Sequence, residues 1–127
     1  MAAPNVLFIL TDQQSSRALS CAGNPHLSTP NTDALAASGM RFATAYSAAP
    51  VCGPSRACLT TGCLPHQHGV IFNGMTPDPA LPSMGELFRD AGYDTGWSGR
   101  WHLPAHRPDI RGFECLHDES VNLGRGV

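Results

Sequence analysis

The sequence predicts an α/β fold in which a mostly parallel sheet is flanked by helices, and three observations support this prediction. Residues 5–11 read NVLFILT, a continuous apolar run typical of a strand buried on both faces of a parallel sheet. The predicted strands and helices alternate along the chain, as they do in layered α/β domains. Polar side chains follow the predicted strands, at the sheet edge where open α/β folds bind ligands.

The first elements in chain order are a strand, a helix and a second strand. The strand over residues 5–11 places Asp12 just past its carboxyl end. A helix is predicted over residues 29–39, because Thr29 suits the cap, Pro30 the first helical position and Gly39 the stop. A short strand over residues 40–46 is expected to follow.

Two further helices are predicted. One starts at Pro54, after a loop of small residues, and runs to Gly62. The other opens at residues 83–86, which read SMGE and form a capping-box pattern, and it ends near Gly92.

A last strand is predicted over residues 93–98, and it puts residues 99–102, which read GRWH, at its carboxyl end. Residues 63–82 and the stretch from Pro104 onward have little periodicity, and we expect both to be irregular.

Composition is that of a globular chain rich in loops. The chain has 127 residues, 42% of them hydrophobic, and we expect residues 1–127 to form a single α/β domain. The net charge of −2 and the lack of a basic stripe argue against a nucleic-acid partner.

The sequence also argues against a membrane span and an export signal. The longest apolar run, residues 6–10, is far shorter than the roughly 20 residues that cross a bilayer. The first four residues lead almost directly into the predicted strand, so we expect no signal peptide. The five cysteines are an odd number, which together with the missing signal favours reduced thiols and a cytoplasmic location.

Three polar groups fall at predicted strand ends or helix starts: Asp12, residues 52–56, and Arg100 with His102. In a parallel sheet they are expected to meet at one edge. Cys52 precedes a helix start, where backbone N–H groups and the helix dipole suit an anion. The guanidinium of Arg56 suits a tetrahedral oxyanion such as sulfate or phosphate. Taken alone, such a cysteine is more often an inert structural thiol.

Five segments in order make the sequence resemble the sulfatase family. Residues 52–62 read CGPSRACLTTG and are similar to the family signature, C-x-P-S-R with T-G five and six residues after the Arg. The other segments are residues 4–13 (PNVLFILTDQ), 29–36 (TPNTDALA), 65–70 (PHQHGV) and 99–103 (GRWHL). The resemblance spans about residues 4–115. It implies the N-terminal part of an alkaline-phosphatase-like sulfatase fold, incomplete at the C-terminus.

The resemblance implies that Cys52 is converted to formylglycine by a formylglycine-generating enzyme. A hydrated aldehyde offers one hydroxyl to attack sulfur and a second to expel sulfate, so one hard displacement becomes two easier steps. The implied activity is hydrolysis of a sulfate monoester, with an aryl sulfate, choline sulfate or a sulfated sugar as substrate.

Roles for three basic residues also follow from the resemblance. Arg56 holds the formylglycine, and His102 takes a proton as sulfate is eliminated. Arg100 contacts the sulfate at a position where the family usually has Lys, and the guanidinium differs from an ammonium in size and geometry.

Asp12, Gln13 and the formylglycine at position 52 are the implied ligands of a divalent cation, most often calcium. Many relatives carry a second acid where this chain has Gln13. The other metal ligands of the family lie later in longer chains, so we expect this chain to be an inactive fragment by itself.

Other interpretations stay open at this point. A phosphonate or phosphate ester hydrolase of the same superfamily uses the same nucleophile and metal. A non-catalytic remnant or binding protein is a further alternative, which the departure at Arg100 favours. A small zinc module is the last, although the spacing of its candidate ligands matches no common zinc pattern; those ligands are Cys58, Cys63, His66 and His68.

Overall fold

The structure is a computed structural model that describes residues 3–105 and 107–117. The chain divides into two compact units, residues 1–46 and 47–127.

The unit of residues 1–46 contains one α-helix, α1, over Pro30–Ser38, and two short 3-10 helices over Ser16–Ala18 and Ser20–Ala22. The predicted helix is therefore confirmed, with Thr29 at the N-cap and Pro30 in the first turn. Contrary to the prediction, the Thr29 side chain makes no capping hydrogen bond to the helix backbone.

Asp33 of α1 holds the preceding loop against the helix. Its carboxylate accepts hydrogen bonds from the Ser20 hydroxyl (2.6 Å), the Cys21 backbone N–H (2.9 Å) and the Thr29 hydroxyl (3.0 Å). These donors, the Ser20 hydroxyl foremost, lower the pKa of Asp33 from its ordinary value.

The two strands predicted in this unit do not form among the described residues 3–46. A strand of a parallel sheet needs hydrogen-bonded neighbours, and residues 5–11 and 40–46 pair with no strand there. The side chains of residues 6–10 are 50–85% exposed, and none of the described residues 3–46 is buried. Residues 5–11 are apolar, as a buried strand requires. The described residues 3–46 do not supply the packed layers that would bury them.

The unit of residues 47–127 carries three α-helices, one 3-10 helix and a two-stranded parallel sheet in its described part. The elements are α2 (Cys52–Thr61), α3 (Pro65–His68), α4 (Met84–Asp90), β1 (Gly96–Ser98), a 3-10 helix (Asp109–Arg111) and β2 (Glu114–His117). The strands pair in parallel, with Gly96 opposite Glu114 and Trp97 opposite Cys115, so the predicted parallel α/β character is confirmed.

Helices α2 and α4 follow their local sequence signals. Helix α2 begins at Cys52, two residues before the predicted start, and ends at Thr61, followed by Gly62, whose φ of 69° suits a glycine C-cap. Helix α4 has the predicted capping box: the Ser83 hydroxyl accepts from the Glu86 N–H at 3.2 Å, and the Glu86 carboxylate accepts from the Ser83 N–H at 2.7 Å.

Two elements form where the sequence predicts irregular structure. Helix α3 is a single turn between Pro65 and the C-cap Gly69, too short to show periodicity. Strand β2 is four residues long and has no alternating pattern, and it depends on its pairing with β1.

The core of this unit consists of Ala57 from α2 with Val70, Trp101 and Leu103, and Trp97 of β1 packs against it. The rings of Trp97 and Trp101 meet edge to face with centroids 4.7 Å apart. Because Trp101 and Leu103 are buried in alternation, the segment that follows β1 is anchored to the core at two points.

Within the described residues, no helix combines the length and apolar character that crossing a bilayer requires.

Candidate active site

Cys52 is the first residue of α2, and one side chain from a distant loop fixes its surroundings. The side-chain amide oxygen of Asn73, Oδ1, accepts hydrogen bonds from the Gly53 backbone N–H at 2.7 Å and from the Cys52 thiol at 3.3 Å. One amide therefore satisfies an N–H of the first helical turn and orients the sulfur.

Asn73 is the site residue that sequence reasoning missed. Its only local signal is the Asn73-Gly74 dipeptide, a turn pattern that says nothing about a partner about 20 residues earlier. The contact also explains the small residue after the cysteine, because a Cβ on Gly53 would lie 2.7 Å from the Asn73 oxygen.

The start of α2 offers fewer backbone donors to an anion than the sequence suggests. The Gly53 N–H is already bonded to Asn73, and Pro54 has no N–H. An oxyanion beside Cys52 therefore depends more on charged side chains than on the amides of the first turn.

Arg56 lies one turn into α2 and is buried, with 7% of its surface exposed. It belongs to the helix face that packs inward, together with Gly53, Ala57 and Thr60. Its guanidinium Nη1 donates to the backbone carbonyl of Arg100, so a buried cation ties α2 to the segment after β1.

Arg100 and His102 lie in that segment, at the carboxyl end of β1 where the sequence predicts them. Trp101 between them is buried in the core, and the two polar side chains meet. The Arg100 Nη2 lies 3.0 Å from the His102 Nε2. His102 has a left-handed φ of 61°, which is uncommon for a residue other than glycine and concentrates at functional sites.

Three of the predicted site residues are thus linked by hydrogen bonds, since Arg56 contacts Arg100 and Arg100 contacts His102. Asp12 and Gln13 belong to the unit of residues 1–46, where Asp12 is exposed and Gln13 has a φ of 53°. The roles assigned to all of these residues stay predictions.

The described residues supply only part of a calcium site. The Asp12 carboxylate and the Gln13 amide oxygen are ligands that calcium accepts, but the ion takes about six to eight oxygens. No group of three or more His, Cys, Asp or Glu side chains within residues 3–105 and 107–117 is placed to hold a metal ion. We therefore derive no chemical step through a cation.

Cys58 and His68 form a second contact between a thiol and an imidazole, with Sγ 3.2 Å from Nε2. The His68 Nδ1 accepts the Val70 backbone N–H at 3.1 Å, so the neutral ring carries its proton on Nε2 and donates it to the sulfur. Such a histidine has no lone pair available to deprotonate the thiol.

Burial agrees with a neutral, structural pair at this place. Desolvation raises the pKa of Cys58 and lowers the pKa of His68, so both groups favour their uncharged forms. We interpret Cys58 as an inert thiol rather than as a second nucleophile.

The sequence profile of the family described as Sulfatase matches residues 4–116. An uncharacterized sulfatase, YidJ, of Escherichia coli strain K12 is 44% identical over 106 residues, which are 84% of this chain and 21% of that protein.

Two solved structures have the same fold over most of the chain. The structure of BT4656 in complex with its substrate D-glucosamine-2-N,6-O-disulfate has a TM-score of 0.81 at 37% identity and covers 87% of this chain and 22% of its own. The phosphonate monoester hydrolase of Agrobacterium radiobacter has a TM-score of 0.81 at 29% identity, covering 91% and 26%. The predicted alkaline-phosphatase-like fold is confirmed by these likenesses. The chain spans about a fifth to a quarter of the length of these proteins.

Proposed function

Because the chain belongs to the sulfatase family, we propose that it is the N-terminal part of a catalytic domain that hydrolyses sulfate monoesters, with a nucleophile made from Cys52. Both compact units, residues 1–46 and 47–127, are included in this domain. The complete activity needs the further length that the relatives have.

The observation that carries the proposal is the position of the CGPSR segment. Cys52 is the first residue of a ten-residue helix, and its thiol is oriented by Asn73. Arg56 lies one turn further along and is hydrogen-bonded to the segment that holds Arg100 and His102. An inert structural thiol requires neither the orienting amide nor the buried guanidinium.

Each side chain of this arrangement has a task in the proposed reaction. Asn73 fixes the direction in which the group at position 52 leaves the helix. Arg56 supplies a buried positive charge beside it, and Arg100 supplies a second guanidinium for the sulfate oxygens. The His102 Nε2 accepts a hydrogen bond from Arg100 and so carries no proton, and it can act as a general base once this Arg100 donor turns to the sulfate.

We propose that Cys52 is converted to formylglycine by a formylglycine-generating enzyme, which would provide a hydrated aldehyde as nucleophile. Calcium held by Asp12, Gln13 and the group at position 52 belongs to the same proposal and needs ligands from outside the described residues. A cytoplasmic location stays a prediction.

For the substrate class, we favour a sulfated sugar. The support is the likeness to BT4656, whose structure holds a sulfated glucosamine substrate. The second candidate is a phosphonate ester, which the equal TM-score of the phosphonate monoester hydrolase favours. Sulfate and phosphonate esters compared on a chain of the relatives' length distinguish the two.

The first test is co-expression with a formylglycine-generating enzyme, followed by mass spectrometry of tryptic peptides. Cleavage after Arg41 and Arg56 releases residues 42–56, in which Cys52 is the only cysteine. We expect this peptide to be lighter by the difference between a thiol and an aldehyde, and to react with a hydrazide. The peptide of residues 57–89, which carries Cys58 and Cys63, is the internal control and should keep its thiols.

An unmodified Cys52, in cells that convert a known sulfatase, would overturn the proposed maturation. The non-catalytic remnant would then be the better interpretation. An Arg56→Ala variant tests the signature itself, because this change should abolish the conversion while leaving Cys52 present; its tryptic peptide covers residues 42–89, and the mass difference should be absent from it.

A further inference from the structure

We propose that Arg100 is a positioning residue for His102, which holds the imidazole in the tautomer that leaves Nε2 free of a proton. This inference rests on the proposed function, in which His102 is the proton acceptor. It assigns to Arg100 a task besides contact with the sulfate.

The chemistry of the guanidinium fixes the direction of the hydrogen bond between Arg100 and His102. The Arg100 Nη2 and the His102 Nε2 are 3.0 Å apart. A guanidinium has donors only and stays protonated in proteins, so Nε2 is the acceptor and carries a lone pair in this direction. When one nitrogen of a neutral imidazole accepts, the proton is on the other, which here is Nδ1.

Both side chains are held in place by the backbone. Trp101 and Leu103 are anchored in the core, with 3% and 5% of their surfaces exposed. The backbone carbonyl of Arg100 accepts from the buried Arg56, and His102 adopts a left-handed φ of 61°. The contact is therefore set by packing and is not a chance meeting of two mobile surface groups.

A second histidine of the same unit, His68, has a different hydrogen-bond pattern. The His68 Nδ1 accepts the Val70 N–H, so His68 has the opposite tautomer, with its proton on Nε2. His68 is 1% exposed and contacts Cys58, and it has no task in the proposed reaction. The chain thus contains a structural histidine and a candidate base in opposite tautomers, each set by one hydrogen bond.

The proposal also gives the unusual Arg at this position a physical reason. An ammonium is a strongly hydrated point charge, whereas a guanidinium spreads its donors over a planar fork. One N–H of the fork donates to His102, and the same fork can turn to a sulfate oxygen, which leaves the Nε2 lone pair available to accept a proton.

The test is nitrogen NMR of the whole 127-residue chain with 15N-labelled histidine, which reports the protonated ring nitrogen directly. The His102 signals are assigned by their loss in His102→Gln. We expect His102 with its proton on Nδ1 and His68 with its proton on Nε2 in the same spectrum. His68 also reports that residues 47–127 are folded.

Two variants separate a positioning role from a merely structural one. In Arg100→Met no donor reaches Nε2, and we expect the Nδ1–H signature of His102 to be lost while that of His68 is unchanged. The chain contains no lysine, so Arg100→Lys introduces a single ammonium group. We expect this ammonium to donate to Nε2 and the Nδ1–H signature to return. The proposal would be overturned if His102 carries its proton on Nε2 in the parent chain, or if its tautomer is unchanged in Arg100→Met.

These outcomes are independent of catalysis. If Cys52 is never converted to formylglycine but His102 shows the expected tautomers, the proposed function fails and the positioning role stands. If Cys52 is converted and the His102 tautomer does not follow Arg100, the positioning role alone fails.

Discussion

Asn73 shows how a single side chain connects helix start and nucleophile. Its carbonyl oxygen accepts from both Gly53 and Cys52, so the direction of the sulfur depends on a residue outside the helix. A net hydrogen bond contributes about 0.5–1.5 kcal/mol to stability. We expect the loss of Asn73 to affect the reaction rate more than the stability, because even a small displacement of a nucleophile lowers the rate strongly.

Gly53 and Asn73 should be energetically coupled. In Gly53→Ala the new Cβ lies 2.7 Å from the Asn73 oxygen and forces this side chain away. We expect Gly53→Ala to lower the free energy of unfolding in the parent chain and to lower it less when Asn73 is already Ala. The expected coupling is about 0.5–3 kcal/mol.

Urea unfolding of the four chains of this cycle measures the coupling, and Asn5→Ala at an exposed position serves as the control. Additive effects of Gly53→Ala and Asn73→Ala would contradict the contact.

The elements α4 and β2 are joined by a close approach of backbones in which Gly112 takes part. Glu86 of α4 forms an ion pair with the buried Arg111 at 3.3 Å, and the Ser83 hydroxyl donates to the Arg111 carbonyl at 2.5 Å. Gly112 follows with a φ of 87°. A Cβ on Gly112 would lie 2.3 Å from the Glu86 backbone nitrogen. Only a residue without a side chain therefore fits at position 112, just before β2.

Gly112→Ala should therefore be more damaging than the same change at Gly92. Both glycines have a φ of 87°, but a Cβ on Gly92 meets nothing within 4 Å. The left-handed conformation costs each alanine about 1–2 kcal/mol. The overlap with α4 should destabilise Gly112→Ala by about 1–3 kcal/mol more. Urea unfolding compares the two variants, and equal losses would show that the close approach does not matter.

The molecule as a whole has uneven packing. The unit of residues 47–127 contains the buried residues of the described chain, whereas residues 3–46 contain none. Exposed apolar side chains at positions 6–10 are a surface of the kind that associates or aggregates. Local networks, such as the one around Asp33, are what hold the smaller unit together.

Stability should depend on pH with a plateau between 6.5 and 9.0. The pKa of His68 is lowered by burial from 6.5, so the stability that its neutral form provides is present above 6.5 and is lost as the pH falls through the folded value. The pKa of Cys58 is raised by burial from 9.0, so its contribution is present below 9.0 and is lost as the pH rises.

Two carboxylates add a second loss in acid. Hydrogen bonds from Ser20 and its neighbours lower the pKa of Asp33 from 3.8. Burial raises that of Glu86, but the Ser83 N–H and Arg111 outweigh it and lower the pKa from 4.5. Both contributions are present above these values and disappear as the pH falls through the folded ones. Urea unfolding across the pH range measures the profile, and His68→Gln should remove the loss that begins near 6.5. A parent chain whose stability is flat down to 4.5 would contradict this account.

The sequence by itself determined the parallel α/β class, the family and the helices with clear caps. Pro30 in the first turn of α1, the Ser83 capping box and Gly62 act on neighbouring backbone groups, so their effect can be read from adjacent residues. It also placed Arg100 and His102 after a strand. Only the tertiary structure decided that Asn73 reaches Gly53, that Arg100 donates to His102, that β2 pairs with β1 and that residues 6–10 lie exposed. These features depend on contacts between packed segments, and no local pattern in the chain encodes which segments meet.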